Sequence, residues 1–374
     1  MLPALKADRL SLADVFPSCL AALSGEPNAL GLPRVATAVV LLVDGLGAAA
    51  LKARSGHART LAGASGTIDS GFPTTTASSL ATLTTGTRPG QHGMVGYSVL
   101  DPANDRIVVQ LSQLGELDDA SAWQRSRTVF ERAVDAGYRA TIVAPQRYDD
   151  SPFTHAVLRG AEFLAAATIA ERLEAAARLA NAPGAPQLVY VYVPELDKAG
   201  HAHGWESDEW THALEAVDSA VRSFVAAAPG AGLIVTADHG VIDVPPHAHV
   251  LYDSEPELMS GVRHVGGEPR CLQLYFDPDA SSEVRDATIE AWRQSEGSRS
   301  WVVTRQEAVD AGWFGEVDAE VLPRIGDVII AARKAIAYYS VGSTARARAM
   351  VGQHGSWSPA ELQVPLLRFG SFAA

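Results

Sequence analysis

Four short stretches of the chain carry residues able to grip a cation. Asp44-Gly45 follows the apolar run V-V-L-L-V. Asp197 and His201 lie in D-K-A-G-H, just after L-V-Y-V-Y-V. Asp238-His239-Gly240 ends the run L-I-V-T-A, and His354 sits between glycines in G-Q-H-G. A single Asp after a strand is most often a helix cap or turn residue. Three such Asp residues, two of them accompanied by His, read instead as a site. Asp197 and His201 are four apart, so one helical turn puts both on one face. If the stretch is a loop, Gly200 lets the backbone turn inward. His203 is read as facing solvent or as standing behind the ligands without touching the ion. Mixed carboxylate and imidazole ligands suit zinc or manganese. Six are too many for one tetrahedral zinc. They suit two ions about 3.5–4 Å apart, the arrangement that clamps the attacking and leaving oxygens of a phosphoryl group.

Such chemistry needs a nucleophile, and the hydroxyl-rich segment 71–79 (G-F-P-T-T-T-A-S-S) offers one. It precedes a predicted helix over 78–84, so its last hydroxyls lie at a helix N-terminus, where free amides favour phosphate oxygens. A Thr or Ser hydroxyl ionised beside a cation is a competent nucleophile at neutral pH. Hydroxyl content alone is better explained by a Ser/Thr-rich N-cap with no chemistry.

Parallel strands can deliver these groups to one place, because ligands of open α/β sheets bind at the carboxyl ends of the strands. Apolar, β-branched runs at 37–43, 140–144, 188–193 and 233–236 predict buried parallel strands. Ala-rich stretches at 163–179 and 210–228 predict the covering helices. The segment 262–340 reads as a small α+β insert, leaving 1–261 and 341–374 as one α/β unit with a mostly parallel central sheet.

The 374 residues are 47% hydrophobic and 20% charged, enough apolar material for a sizeable core. The net charge of −13 argues against a nucleic-acid partner. It also means that an anionic substrate must be met by local positive charge, such as metal ions. Cys19 and Cys271 are the only cysteines, too few for a disulfide scaffold or a cysteine zinc cluster. No signal peptide or 18-residue apolar span is legible, which predicts a cytoplasmic protein without a membrane partner. The expected partner is a small molecule, and oligomeric state is not legible.

Taken in order, the motifs V-D-G-L (43–46), F-P-T-T-T (72–76), T-G-T-R-P-G-Q-H-G (85–93), D-K-A-G-H (197–201), T-A-D-H-G (236–240) and G-Q-H-G (352–355) resemble the alkaline phosphatase superfamily, most closely its type I phosphodiesterase/nucleotide pyrophosphatase family. The resemblance implies an alkaline-phosphatase-like three-layer sandwich and one metal site from Asp197, His201 and His354. It implies a second from Asp44, Asp238, His239 and the nucleophile hydroxyl, with zinc, sometimes manganese, in both. The family's spacing to Gly86 places the nucleophile at Thr76, with Thr74 and Thr75 as fallbacks. The implied reaction is hydrolysis of a phosphodiester or nucleotide pyrophosphate through a phosphothreonine. A phosphomonoesterase, a phosphonate hydrolase and a catalytically silent metal- or phosphate-binding protein are the alternatives. Two positions depart from the pattern. Ala77-Ser78-Ser79 stand where the family has a base-stacking aromatic and then Pro-Asn, and Tyr97 stands where an Asn holds a phosphoryl oxygen. The Tyr97 hydroxyl is the expected substitute donor. Glu268 and Arg270 read as structural partners of each other or of the insert's first strand, and His247 and His249 as parts of an exposed loop.

Overall fold

The computed structural model describes residues 2–4, 9–117 and 119–373, with the side chain of Ser121 excepted. The β-branched runs form five parallel strands: β1 (Thr37–Val43), β2 (Arg139–Ala144), β3 (Glu162–Ala165), β4 (Gln187–Val193) and β5 (Gly232–Thr236). A sixth strand, Leu367–Gly370, joins the edge antiparallel to β5. The sheet order is Leu367–Gly370, β5, β1, β4, β2, β3. Every residue of β1 is buried, so the side chains pointing to each face of the sheet are covered. The register pairs Val43 with Val193 and Leu42 with Thr236, so β1, β4 and β5 end at one rim.

The main helices are α1 (Leu12–Ser24), α2 (Thr76–Thr85), α3 (Ile169–Asn181), α4 (Glu195–His203) and α5 (Asp208–Ala227). α1 packs on α2, β1 and β4, while α3 packs on α5, β2 and β4. The helix expected over 163–179 is divided: its first residues are the edge strand β3, and α3 starts only at Ile169. A capping box explains the break. The Thr168 hydroxyl accepts from Glu171 N at 3.2 Å, and the Glu171 carboxylate accepts from Thr168 N at 2.9 Å.

The segment after residue 261 builds a separate antiparallel sheet from β6 (Val262–Glu268), β7 (Cys271–Phe276), β8 (Ser300–Thr304) and β9 (Val328–Ala332), ordered β6-β7-β9-β8. Helix α6 (Ser282–Glu296) supplies buried Trp292, whose Nε1 donates to Leu258 O at 2.7 Å. Arg270, between β6 and β7, is fully buried and pairs with Glu361 rather than Glu268. Its Nε and Nη2 donate to the two Glu361 carboxylate oxygens at 2.7 and 2.8 Å. Its Nη1 donates to the carbonyls of Lys334 and Ile336 at 2.9 and 2.8 Å. Glu361 Oε1 also accepts from Ser356 N at 3.0 Å, so this pair ties the second sheet to the loop bearing His354. Arg270→Ala leaves a buried carboxylate without its cation. Urea unfolding is expected to show a loss of about 3–5 kcal/mol.

Candidate active site

Asp44 is the first residue beyond β1, and its amide donates to Val193 O at 2.9 Å. Gly45 then turns with φ +75°, and a Cβ there would sit 3.0 Å from Asp197 Cα. Only glycine lets the β1 turn lie this close to α4. Its amide donates to Asp238 Oδ1 at 3.2 Å. Asp197 and His201 share one face of α4, as their spacing requires, with His201 Nε2 3.3 Å from Asp197 Oδ2. His239 follows β5, and its Nε2 lies 3.4 Å from Asp238 Oδ2 and 3.6 Å from Asp44 Oδ1.

His354 arrives from far along the chain by a short pairing. Gly352 and Gln353 run antiparallel to Asp243 and Ile242, just beyond the Asp238-His239 turn. Its imidazole lies flat on that of His239, with ring centroids 3.6 Å apart. Its Nδ1 lies 2.8 Å from Thr74 O, and His201 Nδ1 lies 2.7 Å from Gly352 O. Donation to these carbonyls fixes the tautomers and leaves both Nε2 atoms as free ligands. Burial, then His239 and His201, holds His354 well below the ordinary imidazole value, so it is neutral.

Thr76 opens α2, and its Oγ1 is 3.2 Å from His239 Nε2. Thr74 is otherwise committed. Its hydroxyl donates to Ser356 O at 2.8 Å and accepts from Gly355 N at 3.0 Å. Thr75 is fully buried, whereas Thr76 lines the open cavities on this rim. The loop before Thr76 is fastened by Phe72, whose ring stacks on Trp357 at 4.8 Å and meets Trp313 edge-on at 4.8 Å.

All six expected ligand side chains and Thr76 therefore converge. Ligand atoms of Asp197, His201 and His354 lie within 4.8 Å of one another, and so do those of Asp44, Asp197 and His239. Asp197 lies in both groups, where the family pattern gave it to one. Asp238 and Thr76 join the second group through their contacts with His239. The donor set fits cations. Asp44 Oδ1, Asp197 Oδ1 and Asp238 Oδ2 are buried atoms with no hydrogen-bond partner among the described residues. Burial, then repulsion from Asp238 and Asp197, holds Asp44 well above its ordinary 3.8. Burial raises Asp238 as well, with Asp197 adding to it. Three carboxylates crowded into one buried pocket call for compensating positive charge.

Tyr97 lines a cavity of about 580 Å³ together with Thr76, Asp197, His201 and His354. Burial, then Glu268, raises its hydroxyl above the usual value, so it stays a donor. Two residues escaped the sequence reading. Tyr192 donates to Asp44 Oδ2 at 2.5 Å, and period-2 alternation on β4 was the available signal. Glu268 is buried against the site, with Oε2 3.5 Å from His354 Nδ1. It ends β6 beside Gly355, whose Cβ, if present, would lie 2.6 Å from Glu268 Cδ. Burial, then Glu361, holds the Glu268 carboxyl well above its ordinary value, and Glu268→Gln removes the carboxyl group that stands behind His354. Competition with a chelating dye is expected to show metal affinity lowered by about 10–100-fold.

A parallel α/β sheet that gathers carboxylates, imidazoles and a helix-N-terminal hydroxyl at its carboxyl rim has the architecture of the alkaline phosphatase superfamily. Residues 38–357 match the family described as type I phosphodiesterase / nucleotide pyrophosphatase, and the chain belongs to that family of hydrolases. No curated protein sequence matches it significantly. Among solved structures, an inactive form of murine ectonucleotide pyrophosphatase / phosphodiesterase 5 in complex with AMP superposes with a TM-score of 0.68 at 16% identity, covering 89% of this chain and 88% of that one. Phosphonoacetate hydrolase from Sinorhizobium meliloti 1021, in complex with phosphonoacetate, gives 0.69 at 16% identity, covering 90% of each. At such identities the likeness establishes a shared fold. Among the described residues no helix is long and apolar enough to cross a membrane.

Proposed function

We propose that the protein is a two-metal phosphohydrolase that cleaves phosphodiester bonds through a phosphothreonine on Thr76. The convergence of three unpartnered carboxylate oxygens and three imidazoles beside the Thr76 hydroxyl carries this reading. Asp197, His201 and His354 would hold one ion; Asp44, Asp238, His239 and Thr76 would hold the other, with Asp197 within reach of both. When bound, such ions would stabilise negative charge on the reacting oxygens. Thr76 Oγ gives up its proton and bonds to phosphorus while the ester P–O bond breaks and the leaving oxygen takes a proton. Water then attacks phosphorus, releasing the phosphoryl product and restoring the hydroxyl. Tyr97 would donate to a phosphoryl oxygen. The inactive murine relative carries a threonine-to-alanine substitution, which supports a threonine as the reacting group. Zinc, or manganese, is the expected metal, and the two unpaired cysteines support a cytoplasmic setting. The antiparallel sheet confined to 262–340 supports its reading as an inserted subdomain within a catalytic unit formed by 1–261 and 341–374.

A second reading, phosphonate hydrolysis, is favoured by the fold shared with phosphonoacetate hydrolase and by the missing aromatic at Ala77. Rates on a p-nitrophenyl phosphodiester, a monoester and phosphonoacetate, each with zinc and with manganese, separate the two. Fastest turnover of the diester supports the first reading, and P–C cleavage as the dominant rate moves the assignment to the second.

A further inference from the structure

A cavity of about 360 Å³ opens beside Thr76 and Asp44 on the side away from His354. Its inner wall is apolar, with Leu80, Phe153 and Phe163. Its mouth carries two cations, each supplied by the segment that follows a central strand. Arg147 lies in the 3-10 turn Gln146–Tyr148 just past β2, and Lys198 lies on α4 just past β4. Both reach over the same ring: the Arg147 guanidinium is 4.6 Å and the Lys198 ammonium 5.9 Å from the Tyr148 centroid. Arg147 Nη2 donates to Tyr148 Oη at 3.1 Å.

Neither cation forms an ion pair among the described residues, although the chain holds 43 acidic against 30 basic side chains. None of the nearby acids forms an ion pair with either cation among the described residues. Glu195 pairs with buried Arg172, Asp150 with His155, and Asp149 accepts from Gln146. Two like charges brought to one ring repel each other, and the arrangement is relieved by an anion placed between them. Asp44 and Asp197 favour the Lys198 cation from a distance, but neither forms an ion pair with it or with Arg147 among the described residues. An arginine fork beside an ammonium suits a carboxylate or a phosphoryl group.

We infer that Arg147 and Lys198 form a receptor for a second acidic group on the substrate, so that the preferred substrate is a phosphoester or phosphonate bearing a carboxylate or another phosphoryl group. This rests on the phosphohydrolase reading of the Thr76 site. The apolar wall then covers the link between the two acidic groups.

Calorimetric titration of the zinc-loaded Thr76→Ala protein, with free zinc buffered, tests it with three non-reacting probes: methylphosphonate, phosphonoacetate and methylenediphosphonate. At least one two-acid probe is expected to bind about 10-fold or more tightly than methylphosphonate. A gain for phosphonoacetate identifies a carboxylate as the second group, and a gain for methylenediphosphonate alone identifies a phosphoryl group. Arg147→Gln and Lys198→Gln, each at an exposed position, are expected to erase most of that gain. Equal affinity for all three probes overturns the proposal, and so does a gain that survives both substitutions, which would place the second acid on the metals themselves. If the protein with Thr76 intact cleaves no phosphoester or phosphonate, the phosphohydrolase reading fails, while the affinity ratios still decide the receptor.

Discussion

Thr76→Ala is expected to lower turnover of a p-nitrophenyl phosphodiester by about a thousandfold or more while bound zinc stays at the wild-type level. The size of the loss follows from where Thr76 sits. It is the first residue of α2, its Oγ1 is 3.2 Å from His239 Nε2, and it borders both cavities that a substrate can enter. The neighbouring hydroxyls cannot replace it. Thr74 is locked between Ser356 O and Gly355 N, and Thr75 has no exposure. Metal content is expected to survive because the carboxylate and imidazole donors remain. Thr76→Ser keeps a hydroxyl on the same backbone and is expected to retain measurable activity. A steady-state assay with metal analysis on the same samples checks all three statements, and full activity of Thr76→Ala reassigns the nucleophile.

Asp44→Asn is expected to act in opposite directions on the metal-free and metal-loaded protein. Without metal, Asp44 is buried beside Asp238 and Asp197, and its ionised form is disfavoured. Its folded value stands above the ordinary 3.8. Between those two values the folded chain holds more protons than the unfolded chain. The stability this provides is complete below the unfolded value and is lost as pH rises through the folded one. Asp238 behaves in the same way. The metal-free wild type is therefore expected to melt at lower temperature as pH is raised from about 4 towards 7, and Asp44→Asn to shrink that fall. With metal the sign reverses. The variant lacks an anionic ligand, so metal affinity falls by about 100-fold or more and the metal-induced rise in Tm shrinks with it. Thermal melts across pH, with and without zinc, read both effects. A metal-free melting curve that is flat with pH, or an unchanged metal-induced shift, would count against the electrostatic account.

The rim of the sheet was legible because strand and ligand adjoin in sequence. Asp44, Asp197 and Asp238 each follow an apolar run by a few residues, and parallel strands in register bring such residues together. Asp197 and His201 needed only helical spacing. His354 was legible through its flanking glycines and the family pattern, although what carries it into the site is the two-residue pairing of Gly352–Gln353 with Ile242–Asp243, which leaves no sequence signal. Glu268 and Arg270 show the limit most clearly. Two opposite charges two residues apart invite a mutual pair, yet the turn between β6 and β7 sends Arg270 to Glu361 and Glu268 to His354. Both partners are about ninety residues away along the chain, and pairings of that length are set by tertiary packing. The strand Leu367–Gly370 and the division of 163–179 into β3 and α3 were missed for related reasons. An edge strand depends on its neighbour, and a capping box inside an Ala-rich stretch resets where the helix begins.

The central claim is that two cations share the pocket formed by Asp44, Asp197, His201, Asp238, His239 and His354. Anomalous scattering from crystals grown with zinc, measured on both sides of the zinc absorption edge, tests it most directly. Two peaks are expected, one against Asp197, His201 and His354 and one against Asp44, Asp238, His239 and Thr76, separated by about 3.5–4 Å. A single peak, or none, at saturating zinc and likewise at saturating manganese would contradict it.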